Sequence, residues 1–220
     1  MSAPAVDVCT EFAPAKVNLT LAVGRARADG YHPLDSLVVF ADWGDRVEVL
    51  DSDGLTLSLE GAGAEALSAE PHNLVLKAAY ALRAAAERPD LAASLTLHKT
   101  LPVASGLGGG SSDAAAALRA LNRFWDLDFT TRQLAEIGTV VGADVPACVH
   151  ARPLRMTGIG DQITPLAAWP ELHAVIAHAG PALSTASVFK AFDQSAPGAL
   201  EHAAAPFAGD FSSALRLLKA

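Results

Sequence analysis

The stretch Leu101-Pro102-Val103-Ala104-Ser105-Gly106-Leu107-Gly108-Gly109-Gly110-Ser111-Ser112-Asp113-Ala114 decides how the rest of this chain is read. Four glycines fall within the five positions 106–110. Lacking a Cβ, they let the backbone approach a ligand closely and turn its N–H groups to one side. Two hydroxyls follow, Ser111 and Ser112, and then an alanine run that favours helix. A loop running into a helix N-terminus offers unpaired N–H groups and the positive end of the helix dipole, which together suit a phosphate. Two familiar phosphate loops are excluded. A Walker A loop needs a lysine before its Ser/Thr, whereas Ser111 follows Gly110 directly, and the GxGxxG fingerprint fails because Ser111 stands at the third glycine.

Outward from the loop, Ser94 to Lys99 alternates as a strand. Asn73 is a good N-cap for a helix marked by Leu74, Val75, Ala78, Ala81 and Leu82, which should stop before Pro89. Val17, Leu19, Leu21 and Val23 alternate, as do Leu55, Leu57 and Leu59, so the opening is β-rich. The strong helix after the loop is expected to start at Ser112. Thr130 or Thr131 caps another, through about Val141, and Gly142-Ala143-Asp144-Val145-Pro146 is a turn or short helical entry. Leu172 to Ala177 reads as strand and Ser187 to Phe192 as helix, so a second unit is expected to begin near residues 150 to 160. Ser195 to Asp210, rich in Ala, Pro and Gly, reads as loop or weak helix.

Composition limits the partners. The chain has 220 residues, 51% hydrophobic, with 24 acidic and 16 basic side chains and a net charge of −8. It is long enough to bury a core without staples and too apolar to be disordered. No concentrated basic stripe exists to neutralise nucleic-acid phosphates, so small-molecule chemistry is the better expectation. Cys9 and Cys148 lie in apolar stretches without ligand spacing and read as packing residues. The amino terminus has no basic n-region with an apolar core, and no apolar run reaches spanning length. A soluble, cytoplasmic protein without membrane or nucleic-acid partners is expected.

Three further segments carry chemistry. Asp144 is either a general base or an ordinary turn carboxylate. Lys16 interrupts an apolar strand, where its charge is costly unless it has a partner, faces a cleft or lies on a solvent-facing edge. Tyr31 and His32, after Asp29-Gly30, could stack on and hydrogen-bond a nucleobase, or form a turn plugged by the tyrosine.

The glycine loop resembles the second motif of the GHMP kinases, small-molecule kinases that bind ATP phosphates with Pro-x-x-x-Gly-Leu-x-Ser-Ser-Ala-type loops. Its expanded Gly-Leu-Gly-Gly-Gly-Ser-Ser form is similar to the branch that phosphorylates 4-diphosphocytidyl-2-C-methyl-D-erythritol in the non-mevalonate isoprenoid pathway. Ala13-Pro14-Ala15-Lys16-Val17-Asn18-Leu19 resembles that branch's first motif, Arg27-Ala28-Asp29-Gly30-Tyr31-His32 its substrate motif, and Gly142 to Pro146 its catalytic-acid segment.

The resemblance implies an α+β fold. A ribosomal protein S5 domain 2-like ATP-binding domain would span residues 1–155, with a left-handed βαβ crossover, and a partial α/β C-terminal domain would span 156–220. It implies ATP on Pro102, Val103, Ala104, Ser105, Gly106, Leu107, Gly108, Gly109, Gly110, Ser111 and Ser112. Mg2+ would be held mainly by the phosphates, with Ser112 as the candidate protein hydroxyl and no dedicated metal site. Asp144 would be the base and Lys16 its partner. Tyr31 and Phe189 would sandwich the cytosine of the cytidine diphosphate-linked methylerythritol, His32 would read it, and Asn18 and Thr185 would position the rest. A monomer or homodimer is expected. Three features depart from the pattern: Ala104-Ser105 replace a glycine pair, Ser184 to Phe189 lacks the Pro after Thr, and no third glycine-rich motif follows Asp210. The alternatives are a nucleotide-binding relative without turnover, or another small-molecule kinase of the superfamily.

Overall fold

Apolar alternation produces strands where it can be buried. In the computed structural model, residues 8–67, 73–177, 185–200 and 212 are described. The opening alternation forms one long strand, β1, Cys9–Val23. A second, β2, Leu34–Leu50, is longer still. Contacts gather the chain into two units interleaved in sequence. One takes the chain up to Ala15 with Ala41–Val103 and Gly108–Ala151; the other takes Lys16–Phe40, Ala104–Leu107 and the chain from Arg152 onward. Both long strands and the glycine loop therefore pass from one unit to the other.

In the first unit, β3 (Leu55–Glu60) and β4 (Ala93–His98) pair in parallel, and β4 pairs antiparallel with the second half of β2, giving the order β3-β4-β2. Ala93, Leu95 and Leu97 turn one face of β4 inward, alongside Val47 and Val49 of β2. A parallel pair needs a crossover, which α1, Leu74–Ala85, supplies. Asn73 caps it as expected, its Oδ1 accepting from the Val75 N–H at 2.9 Å. The helix stops before Pro89, with Glu87 at φ 53° closing the turn.

The helix after the loop, α2, Gly109–Phe124, begins three residues before Ser112. Its alanines 114 to 117 are all fully buried, as are Leu118 and Leu121. Residues 112–118 are buried on every side, as in a core helix; α2 packs against α1 and against α4, Val145–His150. Between them α3, Thr131–Gly138, starts with a reciprocal Thr130–Gln133 capping box and ends at a glycine, three residues short of the expected Val141. Arg119 of α2 ties these pieces together. It donates to Glu11 Oε1 at 2.7 Å, the Phe12 carbonyl at 2.9 Å and the Cys148 carbonyl at 2.9 Å. Cys148 is fully buried, in keeping with a packing role.

In the second unit, the first half of β2 pairs antiparallel with β5, Leu154–Thr157, which pairs with β6, Gln162–Pro165. The β5–β6 turn uses two left-handed glycines, Gly158 at φ 69° and Gly160 at φ 95°. Leu172 to Ala177, expected as a strand, has no regular structure: its alternation pairs with no strand among the described residues, and Val175 is 97% exposed. A helix does form around 187–192, as α5, Thr185–Gln194. Most of Ser195 to Asp210 lies outside the described residues.

The full burial of Ala116 generates a stability test. Ala116→Leu should overpack the α2 interface and lower the unfolding free energy by about 1–3 kcal/mol in urea titration, whereas a surface alanine changed to leucine should be near neutral.

Candidate active site

The glycine loop departs from the end of β4 and enters α2 at Gly109. Its start is fixed by Asp45 of β2, whose Oδ1 accepts from the Thr100 N–H at 2.6 Å and the Leu101 N–H at 2.7 Å. Leu101 is fully buried beneath it. Beyond Leu101, Ala104, Gly106 and Gly108 all take positive φ, at 55°, 78° and 63°. Left-handed residues interspersed with ordinary ones are the backbone pattern from which anion-binding concavities are built. The Ser112 N–H makes a helical bond to the Gly108 carbonyl at 2.8 Å, so the N–H groups of Gly109, Gly110 and Ser111 precede the helical ladder and have no partner within it.

The two serines divide. Ser112 is fully buried and its Oγ donates to the Pro14 carbonyl at 2.7 Å, tethering α2 to β1. Ser112, the hydroxyl expected beside Mg2+, donates its proton to that carbonyl and keeps its oxygen lone pairs, while Ser111 and Ser105 are half-buried.

A charged cluster that the sequence reading did not identify lies beneath the loop. Lys99, Asp45 and Asp113 are 3%, 1% and 2% exposed. Lys99 Nζ donates to Asp45 Oδ2 at 2.5 Å and to Asp113 Oδ2 at 2.8 Å. A Cβ on Gly109 would come within 2.9 Å of Lys99 Nζ, so a side chain there would have to push the lysine's end away from its two carboxyl partners. Strand parity contains the signal. Lys99 continues the inward series Ala93, Leu95, Leu97; Asp45 precedes the inward Val47 and Val49; and Arg46 opposes His98, which sets Asp45 beside Lys99. Burial pushes the Asp113 carboxyl up to about 8, the Lys99 ammonium opposing the rise and the Asp45 carboxylate adding to it.

In the second unit, Lys16 is 5% exposed. Its backbone N–H donates to the Leu107 carbonyl at 2.9 Å, joining β1 to the loop, and its Nζ donates to Asn18 Oδ1 at 3.2 Å. Asn18 Nδ2 continues to Ser36 Oγ at 2.6 Å, which donates to the Thr20 carbonyl. The structure thus brings Lys16, Asn18 and the loop's central residues together. Asp144 belongs to the first unit, where it is the N-cap residue of α4, half-buried, with a side chain that makes no capping bond.

The Asp29-Gly30 turn forms, with Gly30 at φ 83°, and leaves Tyr31 59% exposed. His32 turns inward. Its ring packs on Phe189 of α5 at 4.7 Å between centroids and meets the edge of Phe192 at 5.9 Å, and its Nε2 lies 2.7 Å from Asp193 Oδ1. Phe189 accordingly packs on His32. Phe192 and Asp193 were missed; their signal is the i+3, i+4 spacing from Phe189 on one helix. The side chain of Thr185 lies outside the described residues.

Comparison with known proteins now bears on this geometry. Residues 73–152, which include α1, β4, the loop and α2 to α4, match the GHMP kinases N terminal domain. A 4-diphosphocytidyl-2-C-methyl-D-erythritol kinase from Parvibaculum lavamentivorans is 53% identical over 183 residues, covering 82% of this chain and 62% of that protein. Residues 73–152 are a GHMP kinase N-terminal domain. A crystal structure of 4-(cytidine 5'-diphospho)-2C-methyl-D-erythritol kinase superposes with a TM-score of 0.60 at 35% identity, over 73% of this chain and 56% of that one. Homoserine kinase from Cytophaga hutchinsonii, at 16% identity and a TM-score of 0.55 over 77% of this chain and 55% of that one, shares the fold. The GHMP relationship accounts for the mixed α+β architecture, and the chain spans about three fifths of the length of the curated relatives it matches. Among the described residues, no helix is long and apolar enough to cross a membrane.

Asp113 makes stability pH-dependent. Its folded-state pKa is raised above the unfolded carboxylate's, so its contribution is present at acid pH and is lost as the pH rises through about 8. The urea midpoint of the wild type should fall between pH 5 and pH 8.5. Asp113→Asn should flatten that fall; equal declines in both proteins would assign it to another group.

Proposed function

We propose that this chain carries the nucleotide site and phosphoryl-transfer residues of a kinase that uses ATP to phosphorylate the 2-hydroxyl of 4-diphosphocytidyl-2-C-methyl-D-erythritol. The observation that carries the reading is the loop at 101–112: three left-handed residues lead into the open N-terminus of a 16-residue helix, and the Lys16 backbone is bonded to the loop. The names of the relatives at about 50% identity support the substrate. In this reading residues 1–155 are the ATP-binding domain, residues 156–220 begin the second domain, and the protein acts in the cytoplasm as a monomer or homodimer, without nucleic-acid or membrane partners.

Residues 102–112 cradle the polyphosphate, those between Pro102 and Ser112 offering backbone N–H groups, which fits an anion that is bulky and multiply charged. Mg2+ would be held mainly by the phosphate oxygens, whose charge it would offset, with the Ser112 or Ser111 hydroxyl as a protein oxygen beside it. Asp144 accepts the proton of the substrate's 2-hydroxyl as that oxygen bonds to the γ-phosphorus. The bond to the β–γ bridging oxygen breaks and ADP leaves. Lys16 acts as the partner of Asp144 and steadies the developing alkoxide. Asn18, bonded to both Lys16 and Ser36, sets the lysine's direction and, with Thr185, positions the substrate. His32 reads the cytosine edge beside Tyr31 and Phe189.

ADP release by the 220-residue chain should require both ATP and 4-diphosphocytidyl-2-C-methyl-D-erythritol, and Asp144→Asn should slow it by about 10²–10⁴-fold with nucleotide affinity retained. An undiminished Asp144→Asn rate contradicts the mechanism. Nucleotide binding without ADP release in the wild type favours a binding module instead.

A further inference from the structure

The cluster beneath the loop is not used in the chemistry above, yet it touches both ends of the loop. Asp45 holds the Thr100 and Leu101 N–H groups where the loop begins. Asp113 lies in the first turns of α2, just past the two serines where the loop ends. Lys99 Nζ lies between their carboxyls at 2.5 and 2.8 Å. We propose that Lys99 is a positioning residue for the nucleotide loop: its ammonium ties the loop's two ends together through Asp45 and Asp113 and so sets the loop's shape before nucleotide arrives. The inference rests on reading 101–112 as the nucleotide loop.

The two arms differ in kind. Asp45 accepts three hydrogen bonds, two from backbone N–H groups and one from Lys99, an environment suited to the anion. Asp113 accepts from Lys99 and lies within hydrogen-bonding reach of the Asp45 carboxyl, and among the described residues its buried Oδ1 has no hydrogen-bond partner. One cation and two carboxylates, all almost fully buried, leave one negative charge in excess, which is costly in a poorly solvated site. Keeping the proton on Asp113 removes that excess. The cluster is then an Asp45–Lys99 ion pair with a neutral acid as its second arm, and the elevated Asp113 pKa agrees with this assignment. Asp113 needs its oxygen rather than its charge. An amide can replace it; an apolar side chain of similar size cannot.

This distinction is the test. Hydrogen–deuterium exchange on the full 220-residue chain without nucleotide reads the peptide spanning 100–112, and titration with Mg·ATP reads affinity. Asp113→Leu should raise exchange in the loop and weaken ATP binding by about tenfold or more, with protection in α1 and α3 retained. Asp113→Asn should rescue both readouts to within about twofold of the wild type. Loop protection unchanged in Asp113→Leu overturns the proposal, as does an Asp113→Asn variant as impaired as Asp113→Leu. Protection lost evenly across α1, α3 and the loop also overturns it, because the cluster would then serve only general stability. If the exchange pattern holds while the wild type binds no ATP, the clamp stands and the nucleotide reading fails.

Discussion

A lysine ammonium with 3% of its surface exposed cannot rely on water, and Lys99 therefore fixes whatever surrounds it. Two carboxyl groups converge on it from β2 and α2, and Asp45 in turn holds the backbone at the root of the glycine loop. The close approach also explains one residue of the glycine run in steric terms: Gly109 lies against the ammonium. Gly108 is explained by conformation, being the left-handed residue from which α2 starts. What reads in sequence as a single glycine-rich signature is thus a set of different requirements, imposed by backbone dihedrals at some positions and by a buried cation at another.

The alanine run that follows obeys the same constraint of space. Ala114 to Ala117 are fully buried because α2 has α1 on one side and α4 on another, and larger side chains would push them away. Ser112 and Arg119 then anchor the helix to β1, the first through a hydroxyl donated to the Pro14 carbonyl, the second through Glu11 and the Phe12 carbonyl. The helix whose N-terminus faces the loop is therefore held at its first turn and again farther along. Such rigidity is what a preorganised phosphate site requires, since its N–H groups gain little if they must be ordered on binding.

Local chemistry is legible in the sequence. Asn73 and Thr130 cap α1 and α3, alternation marks β1, β3 and β4, and the glycine loop leads into a helix, all because these depend on neighbours a few residues away. The Asp45–Lys99–Asp113 cluster is less legible, because its members lie 54 and 14 residues apart and meet only through strand register. The packing of His32 on Phe189 and Phe192 depends likewise on a helix more than 150 residues away. Leu172 to Ala177 shows the opposite failure, a strand-like pattern that pairs with no strand among the described residues. The short β5 and β6 take sheet positions on the strength of pairing with β2 and with each other, which four-residue segments do not announce.

The central claim is that the backbone of the glycine loop is the phosphate site. Amide chemical-shift mapping on the 220-residue chain, titrated with Mg·ATP, addresses it directly. The account predicts saturable shifts concentrated at Gly106 through Ser112 and at Lys16, whose N–H is bonded to the loop. No shift in these amides under saturating nucleotide, or shifts centred elsewhere in the chain, would contradict it.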